Sequence, residues 1–278
     1  MKLAMSSWSY HWAISKGELE QMQWLELCAR LGLDGVELLD IHFPSLSRRY
    51  LQSVMKKCQE LNLEIAAVSV SNDFGQPEKR LRAMNRKKVS QWIRLAKQFG
   101  APALRVFSGW PGAGNRLLYE SERKRLWPEM VRHLRSLAEE ARAAGIVLAL
   151  ENHNHGGFTR TADDLLKILQ EVNSEHLKVT LDTGDYLVDT AEVNGYAAVE
   201  RVADHAALVH AKLYELDGQG RDLKQDYGRI LDILAAAGYD GYLSIEYEGP
   251  ADPAQVPRGA KFLLAEMERR GLREEKRL

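Results

Sequence analysis

Residues 145–157 read GIVLALENHNHGG, in which five consecutive apolar positions, Ile146 to Leu150, end abruptly in Glu151, Asn152, His153, Asn154 and His155. An unbroken apolar run bounded by Gly145 and by Gly156-Gly157 is the pattern of a strand in a parallel sheet covered on both faces. Polar residues crowd its carboxyl end, and in α/β folds ligands bind at that end because the loops converge there. Glu151 is therefore the first candidate for chemistry. The plain alternative is an edge carboxylate held by a neighbouring arginine.

The same alternation extends in both directions from this stretch. Strands are expected at 2–7, 36–39, 64–70, 103–107, 177–181, 207–213 and 242–247, in addition to the run before Glu151. Helices are expected at 18–31, 45–61, 77–99, 120–144, 162–172, 196–204, 227–237 and 253–270. Gly100 and Gly145 stop two of the helices, and Thr161 with Asp164 resembles a capping box. Polar loops follow several strands, among them Ser71-Asn72-Asp73, Ser108-Gly109-Trp110 and the region around 111–115. About eight strand-then-helix units with short connections point to a single (β/α)₈ TIM barrel over residues 1–278. An open doubly wound sheet is the rival, but its nucleotide-binding form needs a glycine-rich turn after an early strand, and SSWSYHW follows the first one here.

Composition narrows the functional classes. With 278 residues, 45% hydrophobic and 28% charged, the chain can bury a large core, and its formal charge of -1 offers no excess for coating nucleic acid. Cys28 and Cys58 are the two cysteines and form no Cys-x-x-Cys pair, which argues against a disulfide framework or a thiolate zinc site and suits a reducing cytoplasm. The start, MKLAMSSWSYHW, has no long apolar segment, and no membrane span is expected.

Four consecutive strands each carry a metal-ligating side chain near the carboxyl end: Glu151, Asp182, His210 and Glu246. Neighbouring strand ends in a barrel lie side by side, so one residue from each can surround a single ion. Three carboxylates in a buried mouth would repel one another unless a cation neutralised them. Oxygen donors plus one imidazole suit one divalent ion, with Mn²⁺ preferred and Mg²⁺, Co²⁺ or Zn²⁺ as alternatives. Taken singly, Asp182 could instead cap a turn, His210 could be a satisfied core histidine, and the glutamates could pair with arginines.

The segments LALENHNHGG with TADDLL, VTLDTGD, LVHAKLYE and GYDGYLSIEYEG resemble the sugar-phosphate isomerase/epimerase family of xylose-isomerase-like TIM barrels, which includes the ketose 3-epimerases. The resemblance implies one divalent metal held by Glu151, Asp182, His210 and Glu246, with the two glutamates on opposite sides of the substrate as acid and base. Asp185 departs from the family, since ketose epimerases and the related endonuclease-like branch usually carry a histidine there. Leu216 stands in the region where ketose epimerases place an arginine after the ligand histidine, and Arg221 is the nearest candidate. The nuclease branch needs several further histidines, which neither Asp185 nor the loop after His210 supplies.

The expected chemistry is metal-assisted proton transfer on a carbohydrate or polyol, through an enediolate. Lys212 shares strand parity with His210, and His153 shares it with Glu151, so both are candidates for substrate contact. Arg105, Trp110 and Asp185 are further candidates, with Trp8, Trp12 and Phe74 as contributors to an apolar wall. The rivals are a dehydratase or other lyase on a keto-polyol, a hydrolase or nuclease, and a non-catalytic sugar-binding barrel. A small-molecule substrate is expected, with neither nucleic acid nor membrane as partner, and a homo-oligomer is left open.

Overall fold

Parallel pairing joins β1 (Lys2–Ser6), β2 (Gly35–Leu39), β3 (Glu64–Ser69), β4 (Ala103–Val106), β5 (Val147–Glu151), β6 (Leu177–Asp182), β7 (Ala206–Leu213) and β8 (Tyr242–Tyr247) in chain order, and β8 closes on β1. The computed structural model describes residues 1–112, 115, 117–153, 155–188, 190–249 and 253–273. Part of the loop expected around 111–115, and Asn154 of the opening stretch, lie outside the described residues.

The first helices are α1 (His11–Ser15), α2 (Gln21–Arg30), α3 (Arg48–Glu60), α4 (Lys79–Phe99) and α5 (Tyr119–Ala144). They are followed by α6 (Ala162–Val172), α7 (Thr183–Leu187), α8 (Gly195–Val202), α9 (Tyr227–Ala236) and α10 (Val256–Arg269). Gly100 and Gly145 cap α4 and α5 in the left-handed conformation, with φ of 69° and 74°. The expected cap at Thr161 is present, its side chain accepting from the Asp164 backbone N–H at 3.2 Å. Helix α2 begins at Gln21 rather than 18, because Glu20 and Gln23 form a reciprocal capping box. No helix among the described residues is long and apolar enough to cross a membrane.

Period-two alternation divides each strand between two cores. One set of side chains, including Leu104, Leu148, Val179, Val209 and Leu243, joins the large cluster with the surrounding helices. The other parity starts in a separate small cluster of Ala67, Ala103, Ala149 and Leu208. Two residues further along the same strands stand Ser69, Arg105, Glu151 and His210. Small apolar groups thus fill the deep layer, and the next layer toward the strand ends is polar. Strand register places Asp182 beside His210, His210 beside Ser244 and Lys212 beside Glu246. Two register shifts lie in this region, one between Val36 and Glu37 and one between Val179 and Thr180. Such bulges re-aim the side chains that follow them.

Candidate active site

Four strand ends converge as the alternation requires. One donor atom from each of Glu151, Asp182, His210 and Glu246 lies within 4.8 Å of the others, and all four residues are buried. His210 Nδ1 is 3.1 Å from Glu151 Oε1, 2.9 Å from Glu246 Oε2 and 3.7 Å from Asp182 Oδ2. The single-residue alternatives hold in part. Asp182 caps α7, its Oδ1 accepting from the Asp185 backbone N–H at 3.0 Å, and Arg105 Nε lies 3.2 Å from Glu151 Oε2. Neither accounts for the rest of the group, because these contacts do not explain why four strand ends bring their donor atoms to one buried point. Three buried carboxylates and one imidazole gathered at a shared centre fit a divalent cation.

Charge in this mouth is unbalanced. Lys212 Nζ is shared among Asp182 at 2.9 Å, Glu246 at 3.1 Å and Glu248 at 3.2 Å. Burial raises the Glu151 carboxyl above its ordinary value, against the opposing pull of His210 and Arg105. Burial would raise Asp182 and Glu246 too, but Lys212 and His210 outweigh it and leave both below the usual carboxylate range. Burial raises Asp185 well above that range, and the nearby Asp182 charge adds to the effect.

Above the centre lies a cleft of about 410 Å³, a volume suited to a small polar ligand. Glu151 and Glu246 line it, together with Trp8, Arg105, Phe107, Trp110, His153, Lys212 and Glu248. Asp182 and His210, both fully buried, are not among its lining residues. Arg105 braces Glu151 and lies over the Phe107 ring at 4.1 Å. His153 meets the Trp110 ring edge-on at 5.2 Å, and burial, reinforced by Lys212, pushes its pKa down to about 3, so it is neutral near pH 7.

Other candidates fall elsewhere. Asp185 is buried behind the lining, its Oδ2 3.9 Å from His153 Nδ1. Arg221 lies on the loop after β7, where it pairs with Asp217 at 2.8 Å, and is not among the lining residues. Phe74 is fully buried against His133, and Trp12 lines a neighbouring cleft.

Several contributors escaped the sequence reading. Phe107 shares parity with Arg105, which was an available signal. Asp73 accepts from the Gly75 and Trp110 backbone N–H groups at 2.7 and 2.8 Å, tying the loop after β3 to the loop that carries Trp110. That junction requires Gly109, which has φ +102° and would bring any Cβ within 2.4 Å of the Phe74 and Gly75 backbone nitrogens. Glu37 lies fully buried beside His210, its Oε1 3.1 Å from Nε2.

Fold and site together define a (β/α)₈ barrel with a carboxylate-rich, histidine-containing centre at the carboxyl ends of its strands. The chain belongs to the xylose isomerase-like TIM barrel family, whose model matches residues 25–266. It is similar to an L-ribulose 3-epimerase of Mesorhizobium japonicum, at 25% identity over 86% of this chain and 79% of that one. It is also similar to the alpha subunit of a 3'-dehydrocarminate deglycosidase of Microbacterium, at 24% identity over 74% of this chain and 75% of the relative. Among solved structures, a D-tagatose 3-epimerase-like protein superposes with a TM-score of 0.77 at 21% identity, covering 96% of this chain and 97% of the other.

Proposed function

We propose that this protein is a divalent-metal-dependent sugar epimerase or isomerase, acting on a ketose or polyol-derived keto substrate through an enediolate. Glu151 and Glu246 are its acid and base. The observation that carries this reading is that, of the four centre residues, these two line the cleft while Asp182 and His210 stand behind it. Two carboxylates that face both the centre and the substrate space can exchange protons with a carbon held between them. The similarity to an L-ribulose 3-epimerase agrees with it.

A cation held by Glu151, Asp182, His210 and Glu246 supplies stabilisation of the negative charge that develops on the substrate oxygens. Mn²⁺ suits this donor set, and Mg²⁺, Co²⁺ and Zn²⁺ are the alternatives. Arg105 pairs with Glu151 and Lys212 with Glu246, so each glutamate is held by a cation of its own besides the shared His210. Removal of a proton at one glutamate and delivery at the other inverts a carbon; delivery to the neighbouring carbon isomerises the substrate. Trp8, Phe107, Trp110 and His153 wall the cleft, and the rings exclude water from the reacting face. Both cations in the lining are already engaged by carboxylates, which favours a neutral sugar over a phosphorylated one.

Elimination from the same enediolate is the second reading. It is favoured by Asp185, a buried carboxyl group where ketose epimerases usually carry a histidine, and by the similarity to a deglycosidase subunit. Incubation of a panel of ketoses and inososes with the Mn²⁺-loaded protein in D₂O separates the two. Epimerisation or isomerisation gives isomeric product carrying solvent deuterium, whereas elimination gives a dehydrated or deglycosylated product. Neither outcome on any substrate would refute an enzymatic role for the cleft.

A further inference from the structure

The polar centre has a buried partner beneath it. Glu37, from β2, is fully enclosed in the barrel and accepts hydrogen bonds from Ser69 Oγ of β3 and, at 2.6 Å, from Ser244 Oγ of β8. Its Oε1 lies 3.1 Å from His210 Nε2, the ring nitrogen turned away from the other three centre residues. Glu37 lies 173 positions from His210 in the chain, and the register shift just before it re-aims this part of β2.

The hydrogen-bond inventory fixes a proton on the Nε2 side of the imidazole. A carboxylate only accepts, so both serine hydroxyls must donate to Glu37. If Nε2 were the unprotonated nitrogen of a neutral ring, two fully buried acceptors would face each other at 3.1 Å. A proton therefore belongs on Nε2, while Nδ1 faces the Glu151, Asp182 and Glu246 carboxylates, which hold a proton there until a cation takes its place.

We propose that Glu37 is a positioning residue that locks His210 as an Nδ1 metal ligand. This inference rests on the metal centre proposed above and adds an outer layer to it. An outer carboxylate on a ligating histidine fixes its orientation and raises its basicity, and loss of such a partner weakens metal binding by about 10–100-fold.

The test reads metal affinity rather than turnover. Titration of the purified full-length protein with Mn²⁺, followed by the electron paramagnetic resonance of the free ion, is expected to show Glu37→Gln binding at least tenfold more weakly than wild type. Ser244→Ala, which leaves the Glu37–His210 bond in place, is expected to change affinity less than threefold. Equal affinity in wild type and Glu37→Gln would overturn the proposal, as would an equally large loss in Ser244→Ala, which would signal general loosening of the floor. Should Glu37→Gln fail to fold, ¹⁵N-histidine NMR of the Mg²⁺-loaded wild type decides the matter. The proposal requires His210 to carry its proton on Nε2, and a proton on Nδ1 refutes it. If no metal binds wild type at all, the underlying centre fails, an outcome distinct from normal binding with an indifferent Glu37.

Discussion

The two ends of the barrel handle charge in opposite ways. At the amino-terminal end Asp34 receives Arg273 through Nε at 2.9 Å and Nη2 at 3.0 Å, and Lys2 pairs with Glu64 at 2.6 Å. Each of these carboxylates is paired with a cation, Arg273 also reaching Glu268 at 2.9 Å. At the carboxyl end Glu37, Glu151, Asp182, Asp185, Glu246 and Glu248 crowd around Arg105, Lys212 and His210. The first arrangement holds the chain together; the second leaves negative charge that the protein does not neutralise. Burying such charge destabilises a fold unless something else compensates it, so the surplus marks where function is.

Removing the proposed ion is expected to give the largest contrast. Chelation is expected to abolish turnover and lower the thermal midpoint, with both restored by Mn²⁺; full activity of the metal-free protein would erase the distinction between the two ends. Next in size, Glu246→Gln is expected to reduce kcat by about 10²–10⁴-fold, the range of a lost general acid or base. Metal content measured alongside must fall far less than turnover, because Glu246 is also assigned as a ligand.

At the opposite end Arg273→Ala should do the reverse. Loss of its paired hydrogen bonds to the buried Asp34 is expected to cost roughly 1–3 kcal/mol in urea unfolding, with kcat and metal affinity unchanged. A change in turnover would mean the ends are coupled.

The smallest effect concerns His42, near the mouth but outside the centre. Burial, aided by the charge of His11, pushes its pKa down to about 4 from an ordinary value of 6.5. The folded state thus holds the neutral ring while the unfolded chain takes up a proton, so stability is present above pH 6.5 and is lost as pH falls toward 4. Thermal midpoints across that window should slope less steeply in His42→Gln than in wild type. Parallel slopes would show that His42 is not the titrating group.

The amino-terminal end and the mouth also differed in how far they could be read from the chain alone. Periodicity located all eight strands within a residue or so, because each strand is a compact apolar run stopped by glycine or polar residues. Glu151, Asp182, His210 and Glu246 were legible because their strands are consecutive, so even spacing along the chain becomes adjacency in space. The short helix α1, the 3₁₀ turn Asp40–His42 and α7 were not, since three to five residues carry no helical period. Glu37 falls inside the strand expected at 36–39, but its partner belongs to β7, and only closure of the barrel brings them together. Arg221 was chosen for proximity in sequence to His210, yet its loop folds back so that the guanidinium meets Asp217.

Anomalous diffraction from a crystal soaked in Mn²⁺ tests the central claim most directly. A single peak coordinated by Glu151, Asp182, Glu246 and Nδ1 of His210 is the expected result. A peak elsewhere, or none at an Mn²⁺ concentration that saturates the site in solution, would contradict it.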